Sequence, residues 1–279
     1  MSQPKDPIEP QTNSESSSEN ALPFVAPCIN LSLGAPWRWL KRGFRDTQRA
    51  PLMSLGFGTV MAAILGVLVL AAWQVGSAWA VFSALLGTVF VLPLICIGTY
   101  AISAQLERDL PVSFRRTLRA SFKRYIGTGL VFALVLLIVF LVWARASSMI
   151  SIFLPSSSDY SSADMAVYLG TFLTVGMFFL SIIFAASVFS LPMIMHRDVD
   201  AITAIVTSIN AVMRNKGVML VWGVLILFGI SLCLVTGGVL LVIFLPAVGH
   251  AVWHGYMETI DASAFPRHKM GITSIPRSS

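Results

Sequence analysis

Residues 37–73 read WRWLKRGFRDTQRAPLMSLGFGTVMAAILGVLVLAAW: a basic stretch studded with aromatic residues runs through Pro51 straight into a segment without one charged side chain. The uncharged part, 52–73, is twenty-two residues long, or about 33 Å as an α-helix, which is enough to cross the hydrocarbon core of a bilayer. In the basic part, Arg38, Lys41, Arg42, Arg45 and Arg49 share one face at helical spacing, and Trp37, Leu40 and Phe44 mark the opposite one. A helix with this pattern lies in the membrane interface, aromatic side toward the acyl chains and cations toward anionic headgroups.

The unit of interfacial helix followed by span recurs downstream. A second span is read at 79–103, after an uncharged turn that Trp73 and Trp79 bracket as interfacial anchors. Arg115, Arg116, Arg119 and Lys123 then make a basic face and Phe114, Leu118 and Phe122 an apolar one, ahead of a third span at 126–144. A Ser-rich loop at 156–164 leads to the fourth span, 165–195. The segment 197–216 is amphipathic again, with Ile202, Ile205, Val206, Ile209 and Met213 on its apolar face and Asp198 or Asp200 as its N-cap. Spans five and six are read at 217–235 and 237–256, joined by a turn at Thr236-Gly237-Gly238.

Composition agrees. Hydrophobic residues make up 56% of the 279 and charged ones only 11%, against roughly a quarter charged in soluble domains. Mean hydropathy is +0.79. The net charge of +6 flanks the apolar spans, so it speaks for lipid headgroups and not for nucleic acid. The expected fold is therefore all-α and polytopic: six transmembrane helices in three hairpins with cytoplasmic amphipathic helices. By this assignment every Lys and Arg except Arg145 falls on one side, which the positive-inside rule makes cytoplasmic, together with both termini. Residues 1–30 are expected to be a disordered cytoplasmic tail, 31–260 the membrane domain and 261–279 a second tail. The first thirty residues hold no apolar core of a signal peptide, so the first span is expected to direct insertion. Cys28, Cys96 and Cys233 form no disulfide or zinc pattern.

Each returning span carries a similar string, V-x-x-L-P, ending at Pro93, Pro192 and Pro246. Each proline removes a hydrogen bond to the carbonyl four residues earlier (Val89, Val188, Val242) and is expected to kink its helix there. Three such units can frame a cleft open to the cytoplasm; the same strings also arise by chance in apolar sequence. His250 and His254, four apart on one face of span six, are the sharpest candidates for a ligand or proton contact. Their spacing also suits a metal, which would need a third ligand such as His196 or Cys96; the plainer reading is an interfacial pair beside Trp253 and Tyr256. No metal or cofactor is expected. No Asp or Glu lies inside a span, which argues against ion-coupled transport. The paired glycines Gly56 and Gly58, and Gly127 and Gly129, together with Ala62 and Gly66, are read as close-packing positions.

Three groups of residues resemble a bacterial integral membrane family, domain of unknown function two-one-eight-nine. The first is Ile29-Asn30-Leu31, Trp37-Arg38-Trp39-Leu40, Gly43-Phe44-Arg45-Asp46 and Ala50-Pro51-Leu52. The second is Ser190-Leu191-Pro192, Arg197-Asp198-Val199-Asp200-Ala201 and Thr207-Ser208. The third is Pro246, Gly249-His250-Ala251 and Trp253-His254-Gly255-Tyr256. The resemblance runs from about residue 28 to 260 and implies a six-span protein of the bacterial inner membrane; it brings no activity with it. Two classes of function stay open: a non-enzymatic protein that organises lipid or a membrane-protein partner, and a transporter or channel-like protein with a cytoplasm-facing cleft at the proline kinks. An enzyme ranks third, because the spans lack acid–base pairs.

Overall fold

The computed structural model describes residues 23–74, 96–114, 117, 125–152 and 161–267. Among these, nine α-helices follow in order: α1 (Ala35–Arg49), α2 (Pro51–Gln74), α3 (Ile97–Leu106), α4 (Leu130–Ile152), α5 (Ser162–Ser187), α6 (Ser190–His196), α7 (Ala201–Arg214), α8 (Lys216–Val235) and α9 (Leu241–Thr259). A single wider π-type turn, Tyr125–Gly129, leads into α4. No strand occurs among the described residues beyond two isolated bridges, Cys28 with Ile260 and Arg197 with Arg267.

Four helical stretches are long and apolar enough to cross a membrane: Pro51–Gln74, Gly127–Ile150, Ser162–His196 and Lys216–Val235. They coincide with the first, third, fourth and fifth expected spans. Most of the second, with Pro93, lies outside the described residues, as do Arg115, Arg116, Arg119, Lys123 and most of the Ser-rich loop. The sixth is α9, which differs in kind. From Leu245 to Tyr256 it is buried almost all round, the mark of a helix at the centre of a bundle. Helices α1, α2, α3, α6 and α8 pack against it, while α4 pairs with α5 and α5 with α7.

Two glycines bring backbones together at this centre. A Cβ on Gly43 of α1 would stand 2.2 Å from the Ala247 carbonyl oxygen, and one on Gly58 of α2 would stand 1.9 Å from that of Val242. Only glycine permits approach this close. The Val242 carbonyl is the one that Pro246 deprives of its helical donor, and the backbone of α2 at Gly58 lies against it. Gly56, Gly66 and Gly127, read as packing positions like Gly58, have open space where a side chain would stand.

At the other described V-x-x-L-P the outcome is a break. Helix α5 ends at Ser187, and α6 restarts at Ser190 with Pro192 in its first turn, where a missing N–H costs nothing. Two serines satisfy the break: Ser208 of α7 accepts from the Phe189 N–H (3.2 Å) and donates to the Ala185 carbonyl (2.7 Å), and Ser190 donates to the Ala186 carbonyl.

Helices α1 and α7 turn their bulky apolar residues away from the rest of the protein. In α1 the buried residues are Ala35, Pro36, Trp39, Gly43, Asp46 and Thr47, while Trp37 and Phe44 are exposed. In α7 the buried side is Ala201, Thr203, Ala204, Thr207, Ser208 and Ala211, with Ile202, Ile209 and Met213 exposed. Trp39 apart, the buried sides are made mostly of small residues, which let helix pack closely on helix. Asp200 caps α7 by accepting from the Thr203 N–H at 2.9 Å. The turn after α8 uses Gly237 (φ 63°) and Gly238 (φ 86°), as its sequence foretells.

The ends of the described chain are tied down. Ile29 donates to the Thr259 carbonyl, Asp261 to that of Pro27 and Asp198 to that of Pro266, while the Asn215 side chain bonds both Leu31 N–H and Ile29 carbonyl. Residues 26–30 and 261–267 of the two expected tails are thus part of the packed structure.

Candidate functional site

The polar centre of the molecule forms where α1, α2, α3 and α9 meet. Gly43 lets α1 sit on α9, and one turn later the same side of α1 delivers Asp46, which is 4% exposed. Helix α9 supplies His250, fully buried, and His254 one turn on, partly exposed. Helix α2 contributes Ser54 and α3 contributes Ser103.

The five side chains form one continuous hydrogen-bonded chain. Ser54 Oγ is 2.9 Å from His250 Nε2, and Ser103 Oγ is 2.8 Å from His250 Nδ1. Ser103 also donates to Asp46 Oδ2 at 2.8 Å, and His254 Nε2 lies 2.9 Å from the same oxygen. The donor count fixes the directions. A carboxylate only accepts, so the Ser103 proton goes to Asp46 and Ser103 must accept from His250 Nδ1–H. Nε2 of a neutral His250 then accepts from Ser54. The network thereby assigns the Nδ1–H tautomer, with every donor pointing toward Asp46.

Burial pushes the Asp46 carboxyl up, but the hydrogen bond and charge of His254 and the bond from Ser103 outweigh it. The group is held below its ordinary value of 3.8. Around this chain lie two further carboxylates, each holding an indole: Glu258 accepts from Trp39 Nε1 (3.1 Å) and Glu107 from Trp253 Nε1 (2.9 Å). Glu258 also pairs with Arg38 and Arg42.

The structure thus joins His250 and His254 through Asp46, not through a shared ligand. The two proposed third metal ligands go elsewhere: His196 Nδ1 is 3.0 Å from Tyr256 Oη, and Cys96 is buried and free. No group of three or more metal-ligating side chains occurs among the described residues. Asp46, Ser54 and Ser103 were not singled out by sequence. One signal for Asp46 was present: at 100° per residue it falls beside Trp39 and Gly43, off the arginine stripe. Of the cations read as headgroup contacts, Arg38 and Arg42 engage Glu258, whereas Lys41 and Arg45 are exposed with no partner among the described residues.

Residues 80–196 match the family described as "Predicted integral membrane protein (DUF2189)". The chain is an integral membrane protein. The match takes in α3 to α6 of this membrane protein and includes Ser190-Leu191-Pro192; the strings at 29–52 and 246–256 lie outside it. No curated protein and no solved structure matches the chain.

Proposed function

We propose that this is a multi-pass protein of the bacterial inner membrane, with six spans in three hairpins and both termini cytoplasmic. It acts without catalysis, gathering anionic lipid or a membrane-protein partner at its cytosolic rim. The observation that carries this reading is the outer surface of α1. Lys41 and Arg45 stand exposed beside Trp37 (60% exposed) and Phe44, while the opposite side of the helix is locked onto α9. A rigidly mounted helix with aromatic and cationic strips side by side fits the headgroup boundary, where each basic residue contributes about 1 kcal/mol of attraction to anionic lipid. In the sequence, Arg115, Arg116 and Arg119 make a second basic face of the same kind.

The test is reconstitution of the full chain in mixed phosphatidylglycerol and phosphatidylcholine bilayers. The double variant K41Q/R45Q, and R115A/R116A/R119A, should lower phosphatidylglycerol enrichment around the protein; unchanged enrichment in both refutes the reading. The topology is checked by a tag in the loop at 156–164, which should be reached from the periplasm.

The transporter alternative draws support from one observation, the enclosed chain from Ser54 to His254. It requires that H250A/H254A abolish a flux that K41Q/R45Q leaves untouched.

A further inference from the structure

The strap that follows α3 folds back beside the elbow between α1 and α2, and the two enclose an open groove of about 690 Å³. That volume is within the range of about 300–1,000 Å³ typical of ligand pockets. Its walls are mostly apolar, with Pro51, Leu52, Met53, Leu106 and Val112 among them. Two charged groups stand in it: Arg49, at the last turn of α1, and Asp109, with Arg49 Nη2 3.5 Å from Asp109 Oδ1. Both side chains are exposed, so the pair contributes little by itself and opens at small cost.

An apolar trough that carries one cation and one anion side by side matches one class of molecule in a membrane. The headgroup of a phospholipid ending in a primary ammonium places a phosphate and an ammonium two carbons apart, next to acyl chains. We propose that the groove binds a single such phospholipid, its phosphate on Arg49, its ammonium on Asp109 and the upper part of an acyl chain across Leu52, Met53 and Leu106. Arginine offers the phosphate a planar fork of donors. The Asp109 carboxylate accepts from the ammonium, repels a headgroup that carries only negative charge, and gets no hydrogen bond from a quaternary ammonium. Leu52, 84% exposed at the groove, gains apolar cover. The proposal rests on the interfacial placement of α1 argued above, and concerns a different lipid and different side chains.

The test is native mass spectrometry of the full chain, titrated with phosphatidylethanolamine, phosphatidylcholine and phosphatidylglycerol of equal chain length, and with free phosphoethanolamine. The wild type should retain one phosphatidylethanolamine in preference to the other two lipids and to free phosphoethanolamine. R49Q should lower that retention about tenfold, the loss of a hydrogen bond to a charged group. D109N should lower it too while leaving or improving phosphatidylglycerol retention, and M53W should displace the lipid by filling the trough. Thermal unfolding of each variant separates lost binding from lost fold. Equal retention of all three lipids by the wild type, or R49Q and D109N variants that fold and bind as the wild type does, overturns the proposal. K41Q/R45Q should leave this retention intact, so its failure and that of the anionic-lipid reading are distinguishable.

Discussion

His254 Nε2 lies 2.9 Å from Asp46 Oδ2, and that bond ties the last turns of α9 to α1, 208 residues away in sequence. Asp46 is thereby the acceptor at which the polar chain from Ser54 through His250 and Ser103 ends. D46A leaves Ser103 and His254 without their acceptor in a buried setting, which costs about 2–4 kcal/mol. D46N keeps the shape and one acceptor oxygen and should cost less. Thermal unfolding in nanodiscs measures both; equal and negligible effects would mean that the chain is not an organising feature.

The same carboxylate makes stability depend on acid. Its value is depressed in the folded protein below 3.8, so its contribution is complete above the unfolded value and disappears as pH falls through the lower folded one. Wild-type stability should drop below about pH 4, with D46N lacking that component of the drop. Parallel pH profiles for the two proteins would contradict this.

Glycine substitutions separate close approach from open space. G58A puts a methyl group 1.9 Å from the Val242 carbonyl oxygen and G43A puts one 2.2 Å from that of Ala247. Each should destabilise by about 1–3 kcal/mol, since α2 or α1 must move off α9. G56A meets nothing within 4 Å and should be neutral or slightly stabilising, because alanine favours helix over glycine. Melting temperatures of the three variants check the ranking.

Ser208 bridges the break before Pro192 by serving the Phe189 N–H and the Ala185 carbonyl. S208A orphans both and should cost about 1–3 kcal/mol. Faster hydrogen exchange at Phe189 than in the parent would confirm that the serine, and not the packing alone, closes this gap.

Hydropathy and spacing along the chain determined the apolar helices, their membrane character and the glycine turn at 236–238, and narrowed the cap of α7 to Asp198 or Asp200. These are local properties: an apolar run or a turn residue exerts its preference wherever the rest of the chain lies. The candidate pair His250 and His254 was legible for the same reason, as a helical spacing. Their partners were not. Asp46, Ser54 and Ser103 come from three other helices, and their meeting depends on how near those backbones approach α9 at Gly43 and Gly58. The buried side of α7 was equally hidden, because two environments, lipid and protein, both accept apolar residues. Sequence alone separates apolar from polar; only tertiary packing, through contact distance and small-residue fit, decides which apolar surface meets protein and which meets lipid.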